Sequence, residues 1–270
     1  MKDNMVKLLK RGISECKKKN NAEASKMTAR FYSTLAAHYI REALVSADKR
    51  QAGDLFEEAT MCLNDAEKRN PSDGSVGIRK GLLLLAKGTL EAASYQFKFV
   101  LEQVPESPAA ILGEACVQFY IGNFRAALNG FQGLFKLMPS NDLRLAIGYC
   151  FHRLGHWDYA FKAFQRVLEK DPSSRQAIIA LGFLQLDNTA DQKALVMGTL
   201  KMKEAYEADK SDALPSIHLA NHFFFKKDFN KARALADGSA LSAKNDRVKA
   251  EALFIQAKIA HVNVGPNYFV

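Results

Sequence analysis

The 270-residue sequence is poor in the features that mark a membrane protein, a disulfide-stapled module or an active site. Its longest apolar runs, such as LLLLA from Leu82 to Ala86, fall far below the ~18 residues needed to cross a bilayer. No membrane span and no membrane partner are therefore expected. Cysteine is scarce: Cys16, Cys62, Cys116 and Cys150 lie 46, 54 and 34 residues apart, with no C-x-x-C pair. That spacing supplies neither a disulfide framework nor a zinc cage, and with no signal peptide ahead of them the four are expected to be reduced intracellular thiols. A G-x-x-x-x-G-K-[ST] loop, a G-x-G-x-x-G turn, a G-x-S-x-G elbow and a paired-carboxylate motif are all missing. No enzymatic activity, cofactor or small-molecule substrate is expected.

What is present is globular material, 48% hydrophobic and 25% charged, enough for one large domain or two of medium size. The formal charge of +9 suggests nucleic acid at first. Residues 1 to 30, however, hold nine basic groups against three acidic ones, and the other 240 hold 29 against 26. The body is nearly balanced, so direct nucleic-acid binding is not expected. The basic end carries an apolar stripe of Met5, Leu9 and Ile13, but Asp3, Glu15 and the dominance of lysine over arginine favour a solvated first helix over a presequence. Lys17 to Lys19 form a short basic run of the nuclear-targeting kind.

A period runs through the rest. Pro71, Pro105, Pro139 and Pro172 are 34, 34 and 33 residues apart, and Gly88, Gly122 and Gly155 repeat at 34 and 33. Each glycine precedes a bulky apolar residue by two positions (Leu90, Phe124, Trp157) and leads into an alanine–aromatic pair: Ala93 and Phe97, Ala127 and Phe131, Ala160 and Phe164. A small residue lets two helices approach, the aromatic fills the gap, and proline ends the second helix. This resembles the tetratricopeptide repeat, most clearly in the unit with Ile147, Gly148, Phe151, Ala160, Phe164 and Pro172. The fold implied is all-α: a right-handed superhelical solenoid of stacked helix-turn-helix repeats.

Weaker copies extend the frame. Ala59, Leu63, Ala66 and Pro71 suit a second helix whose partner is Phe31 to Val45, with a polar insertion near Ser46 to Gly53. A fifth unit starts at Ile178, Leu181 and Gly182, breaks over Asp187 to Lys193 and resumes from Leu195 to Ala208. A sixth spans Leu214 to Ala236, and a seventh opens at about Lys249 with Phe254, Ala257 and His261. The expected organisation is a basic helix or extension over residues 1–27, about six and a half repeats over 28–262, and a truncated tail over 263–270 that contains the Gly265-Pro266 break. The seventh helix is expected to be unpaired, and so frayed or covered by something outside this chain.

In the repeat family, positions 5, 9 and 12 of each first helix face the groove. Transferred here, they are Ile78, Leu82 and Leu85; Leu112, Cys116 and Phe119; Leu145, Tyr149 and His152; Ile179, Phe183 and Leu186; and Ile217, Asn221 and Phe224. The set is mostly apolar. Arrays that hold chaperone carboxyl termini need lysine and asparagine donors there, and only Asn221 qualifies. Apolar surface costs roughly 25 cal/mol per Å² in water, so a partner polypeptide is the expected occupant. Two histidine pairs, His218 with His222 and His152 with His156, have the H-x3-H spacing of metal ligands. Neither has a third donor nearby, so no metal is expected.

Four segments resemble something narrower. LANHFFFKKDF (Leu219 to Phe229), RLAIGYCFHRLG (Arg144 to Gly155), GLLLLAKG (Gly81 to Gly88) and FKFVLEQVPESPAAILGEA (Phe97 to Ala115) are similar to segments of the large tetratricopeptide subunit of the RNA polymerase II-associated factor (PAF) complex. The likeness runs from about Thr28 to His261. It implies a nuclear, non-catalytic scaffold in transcription elongation and co-transcriptional histone modification. Its implied partners are the other PAF subunits and, through the complex, RNA polymerase II. Members of that family are several times longer than this chain. On the residues alone, a generic repeat adaptor or co-chaperone and a basic nucleic-acid-associated protein remain the alternatives.

Overall fold

The structure, a computed structural model, describes residues 2–264 apart from 20, 47, 72, 188–190 and 244–245. The Gly265-Pro266 break and the end of the 263–270 tail lie outside the described residues. Among those described there are fourteen helices and no strand. The chain divides into two compact units, residues 1–138 and 139–270. The first holds α1 (Lys2–Lys18), α2 (Ala22–Val45), α3 (Lys49–Arg69), α4 (Gly74–Ala86), α5 (Leu90–Gln103), α6 (Pro108–Ile121) and α7 (Phe124–Leu137). The second holds α8 (Asn141–Arg153), α9 (Trp157–Lys170), α10 (Arg175–Asp187), α11 (Gln192–Ala208), α12 (Ala213–Phe225), α13 (Phe229–Ser242) and α14 (Asp246–Val264). Six helical pairs result, from α2 with α3 to α12 with α13. Within each unit the second helix of a pair packs on the first helix of the next.

Two turns are reused from pair to pair. Inside a pair, Gly122 takes a left-handed φ of 98°, which lets its N–H reach Phe119 O and the Asn123 N–H reach Gln118 O at 2.9 Å. Gly88 and Gly155 do the same. In the sixth pair Lys227 stands at this position with φ 62°; its N–H bonds to Phe224 O and the Asp228 N–H to Phe223 O. At the exit, the residue before each proline is pushed out of helical geometry. Asn70, Val104, Met138 and Asp171 all cap their helices at φ near −140° and ψ near 80°, each N–H still bonded four residues back. The fifth pair keeps the exit without proline. There Asp209 accepts hydrogen bonds from Ser211 and from the Arg175 guanidinium, contacts that lower the pKa of its carboxyl to about 2.

The alanine–aromatic pairs form the core. Ala93 and Phe97, Ala127 and Phe131, and Ala160 and Phe164 are all buried. Phe97 lies between α4 and α6 in a slot that exists because Gly81 and Gly113 lack side chains; a Cβ added at Gly81 would stand 2.6 Å from its ring. The fifth pair solves the same problem differently. Gly182 and Gly198 let α10 and α11 touch through their backbones, and Met202 fills the aromatic's place.

The ends differ from the sequence expectation. Helix α2 starts at Ala22, capped by Asn21 Oδ1 on the Ala24 N–H at 2.7 Å, and α3 starts inside the expected polar insertion. Helix α1 is not wholly solvated: Ile13 is buried, with Val6 and Leu9 against the same cluster as Leu35 and Leu63. Helix α14 is not left without a partner. Val248, Ala252, Ile255 and Ile259 are buried against α12 and α13, the last three almost completely, and burial of this apolar face opposes fraying.

Candidate partner-binding grooves

In the first unit the first helices α2, α4 and α6 lie side by side. Leu82 and Leu85 of α4 and Cys116 of α6 come together with Ile40 and Leu44 of α2 and Tyr120 of α6 around an apolar cleft of about 780 Å³. Leu82 is 43% exposed and Leu112 41%. Ile78 and Leu85 are only partly buried and also pack on the Phe97 cluster. Phe119 turns toward the next helix, edge-on to Phe124 at 5.3 Å. The Cys116 thiol is raised above its ordinary pKa by burial, which keeps it protonated and suits an apolar wall.

The second unit departs from the expectation. Leu145, Ile179 and Ile217, all at position 5, are buried within the clusters around Phe164, Met202 and Ile255 respectively. Neighbouring helices cover them, which removes all three from any surface a partner could touch. Tyr149 remains accessible, but its ring packs on Phe164 at 5.2 Å and burial raises its hydroxyl pKa. His152 Nε2 lies 3.2 Å from Asp187 Oδ2, and its ring stands edge-on to Trp157 at 5.0 Å.

Phe183 packs edge-on against His218 at 4.4 Å. Burial lowers the His218 pKa, although Glu251 and Asp187 pull the other way. Asn221 Oδ1 accepts from Lys258 Nζ at 2.7 Å, which ties α12 to α14. That ammonium also lies about 5 Å from the rings of Phe224 and Phe254. The Lys258 stem and these rings join α14 to α12. Leu186 and Asn221 share a cleft with Leu195, Leu200, His218 and Phe225, a grouping that repeat positions 5, 9 and 12 do not anticipate because α11, a second helix, lines one side of it. No group of three or more His, Cys, Asp or Glu side chains that could hold a metal occurs among the described residues.

Residues 112–175 match the tetratricopeptide-repeat family. The chain is 31% identical over 231 residues to Protein CTR9 homolog of Arabidopsis thaliana, covering 85% of this chain and 21% of that protein. It is 30% identical over 234 residues to RNA polymerase-associated protein CTR9 of Caenorhabditis elegans, covering 84% and 20%. It thus spans about a fifth of the length of the curated relatives it matches. Among solved structures, yeast Tom70 superposes with a TM-score of 0.63 at 15% identity, over 98% of this chain and 61% of that one, a likeness of fold alone. With fourteen helices in paired repeats and no strand among the described residues, the chain has the tetratricopeptide-repeat fold, and over most of its length its sequence is similar to CTR9 proteins.

Proposed function

We propose that this chain is a non-catalytic scaffold of the CTR9 type, working in the nucleus within the PAF complex on RNA polymerase II during elongation and co-transcriptional histone modification. The similarity to two CTR9 proteins over about 85% of the chain carries this reading. The grooves supply the means. Leu82 and Leu112 keep large apolar side chains in water on consecutive first helices, an arrangement that favours burial under a partner polypeptide. A co-chaperone role is disfavoured because Asn221 is the one lysine- or asparagine-type side chain among the groove positions, where a carboxylate clamp needs several.

Affinity purification from nuclear extract tests the assignment. Recovery of PAF subunits with polymerase is expected, and recovery of chaperones alone would refute it. The groove has its own test. Leu82→Glu with Leu112→Glu should abolish capture of those subunits while leaving the helical circular dichroism and its melting intact, since both side chains are substantially exposed. Tyr149 and Phe183 are poorer choices, because both also support the core. Unchanged capture by the double variant would remove the groove from the interface.

A further inference from the structure

The groove between α2 and α4 changes character along its length. At one end lies the apolar cleft of Ile40, Leu44, Leu82 and Leu85. At the other, Lys26 and Arg30 of α2 face Arg79 of α4 across a polar cavity of about 710 Å³. On α2, the lining residues Lys26, Arg30, Thr34, Ile40 and Leu44 fall within about 120° of arc at ~100° per residue, so the two cavities occupy one side of the helix. Arg30 and Leu44 are separated by about 21 Å at 1.5 Å per residue. Six or seven residues of extended chain cover that distance at ~3.3 Å each.

The cations of the basic end form no ion pair among the described residues. No carboxylate oxygen lies within 4.0 Å of the Lys26, Arg30 or Arg79 nitrogens among the described residues. Arg79 is half-buried and held in place: its Nη1 donates to Ser33 Oγ at 2.8 Å and to Ser75 Oγ at 3.1 Å, and Ser33 is buried. The acid lining the cavity is Asp73, whose Oδ1 accepts the Ser75 N–H at 3.0 Å and so caps α4. Three cations against one carboxylate leave a net charge of +2. A guanidinium fixed by two neutral hydroxyls keeps further N–H donors for a planar, charged acceptor.

We infer that the α2–α4 groove binds a peptide segment that is acidic at one end and apolar at the other. Its Asp or Glu side chains meet Lys26, Arg30 and Arg79, and its apolar side chains fill the Leu44–Leu82 cleft. This occupant rests on the groove reading above and adds its chemistry. A random 12-residue phage-displayed peptide library selected on the whole chain provides the test. Enriched peptides should carry acidic residues grouped on one side of an apolar cluster. Lys26→Gln with Arg30→Gln, two exposed side chains, should lower the affinity of a synthesised winner by about tenfold or more, and added salt should weaken the parent complex toward the variant's. Leu82→Glu should remove the apolar preference. Enrichment without an acidic end, or equal affinity for the glutamine double variant, overturns the inference. If Leu82→Glu alone matters, the apolar groove stands and its acidic occupant falls. If Leu82→Glu has no effect, both fall together.

Discussion

Gly113→Ala, compared with Gly133→Ala, isolates the close packing that defines the repeat. Both glycines sit inside helices of the first unit, where alanine is intrinsically favoured by up to ~1 kcal/mol. At Gly133 a Cβ would meet no atom within 4 Å, so that gain should appear almost whole, about 0.5–1 kcal/mol. At Gly113 the new methyl would meet three carbons of the Phe97 ring, closer than at Gly81, where the nearest approach is 2.6 Å. The ring cannot retreat, because Gly81 of α4 closes the opposite side. Overpacking of this kind costs about 1–3 kcal/mol, leaving a net loss of up to about 2.5 kcal/mol for Gly113→Ala after the helical gain. Urea denaturation followed by circular dichroism should therefore move the two midpoints in opposite directions on the same transition. Adding Phe97→Leu to Gly113→Ala should cost less than the sum of the single losses, because the shorter side chain frees the slot. If Gly113→Ala proves as stabilising as Gly133→Ala, Phe97 is not seated between the two glycines and the account of the core is wrong.

Three further outcomes follow from single contacts. Lys227→Gly should stabilise the second unit by about 1 kcal/mol in the same denaturation assay, since the left-handed φ of 62° costs a lysine ~1–2 kcal/mol and glycine returns part of that gain as backbone entropy. The lowered pKa of half-buried His218 means that the unfolded chain takes up the proton more readily. Stability should then be full above its ordinary value of 6.5 and fall as the pH drops through that value toward the lower folded pKa, with a visibly flatter dependence in His218→Gln; equal slopes between pH 7.5 and 5 would exclude the mechanism. Hydrogen exchange should find the amides around Ile255 and Ile259 protected well beyond those of an isolated helix, because that face is buried on α12 and α13; exchange at free-peptide rates would restore the frayed-end expectation.

The repeat architecture was legible in the sequence because its determinants are short-range. The alanine–aromatic spacing, the turn glycines at 88, 122 and 155, and the exit prolines each act within one helical pair, and the pairs recur with nearly the same chemistry. Helix starts were legible only in part. Asn21 and Asp48 cap α2 and α3 earlier than the apolar pattern indicates, because a capping side chain can begin a helix before its buried face does. The groove was read from repeat positions, and those specify a direction from the helix axis rather than what lies beyond it. Leu112 and Leu145 share position 5, yet the first is open to solvent and the second is covered, because exposure depends on how closely the neighbouring helices approach.

The sequence by itself determined the helical pairs, their number through the sixth, and the mostly apolar character of their first helices. Only the tertiary structure decided how polar groups remote in sequence would meet. Asn221 is engaged by Lys258, 37 residues away, and Arg79 is placed beside Lys26 and Arg30 from across the first repeat. A charge has no periodicity that announces its partner. Its local environment exists only once the helices carrying it have packed, which is why the overall basic charge marked the N-terminal region while the unpaired cavity within it stayed hidden.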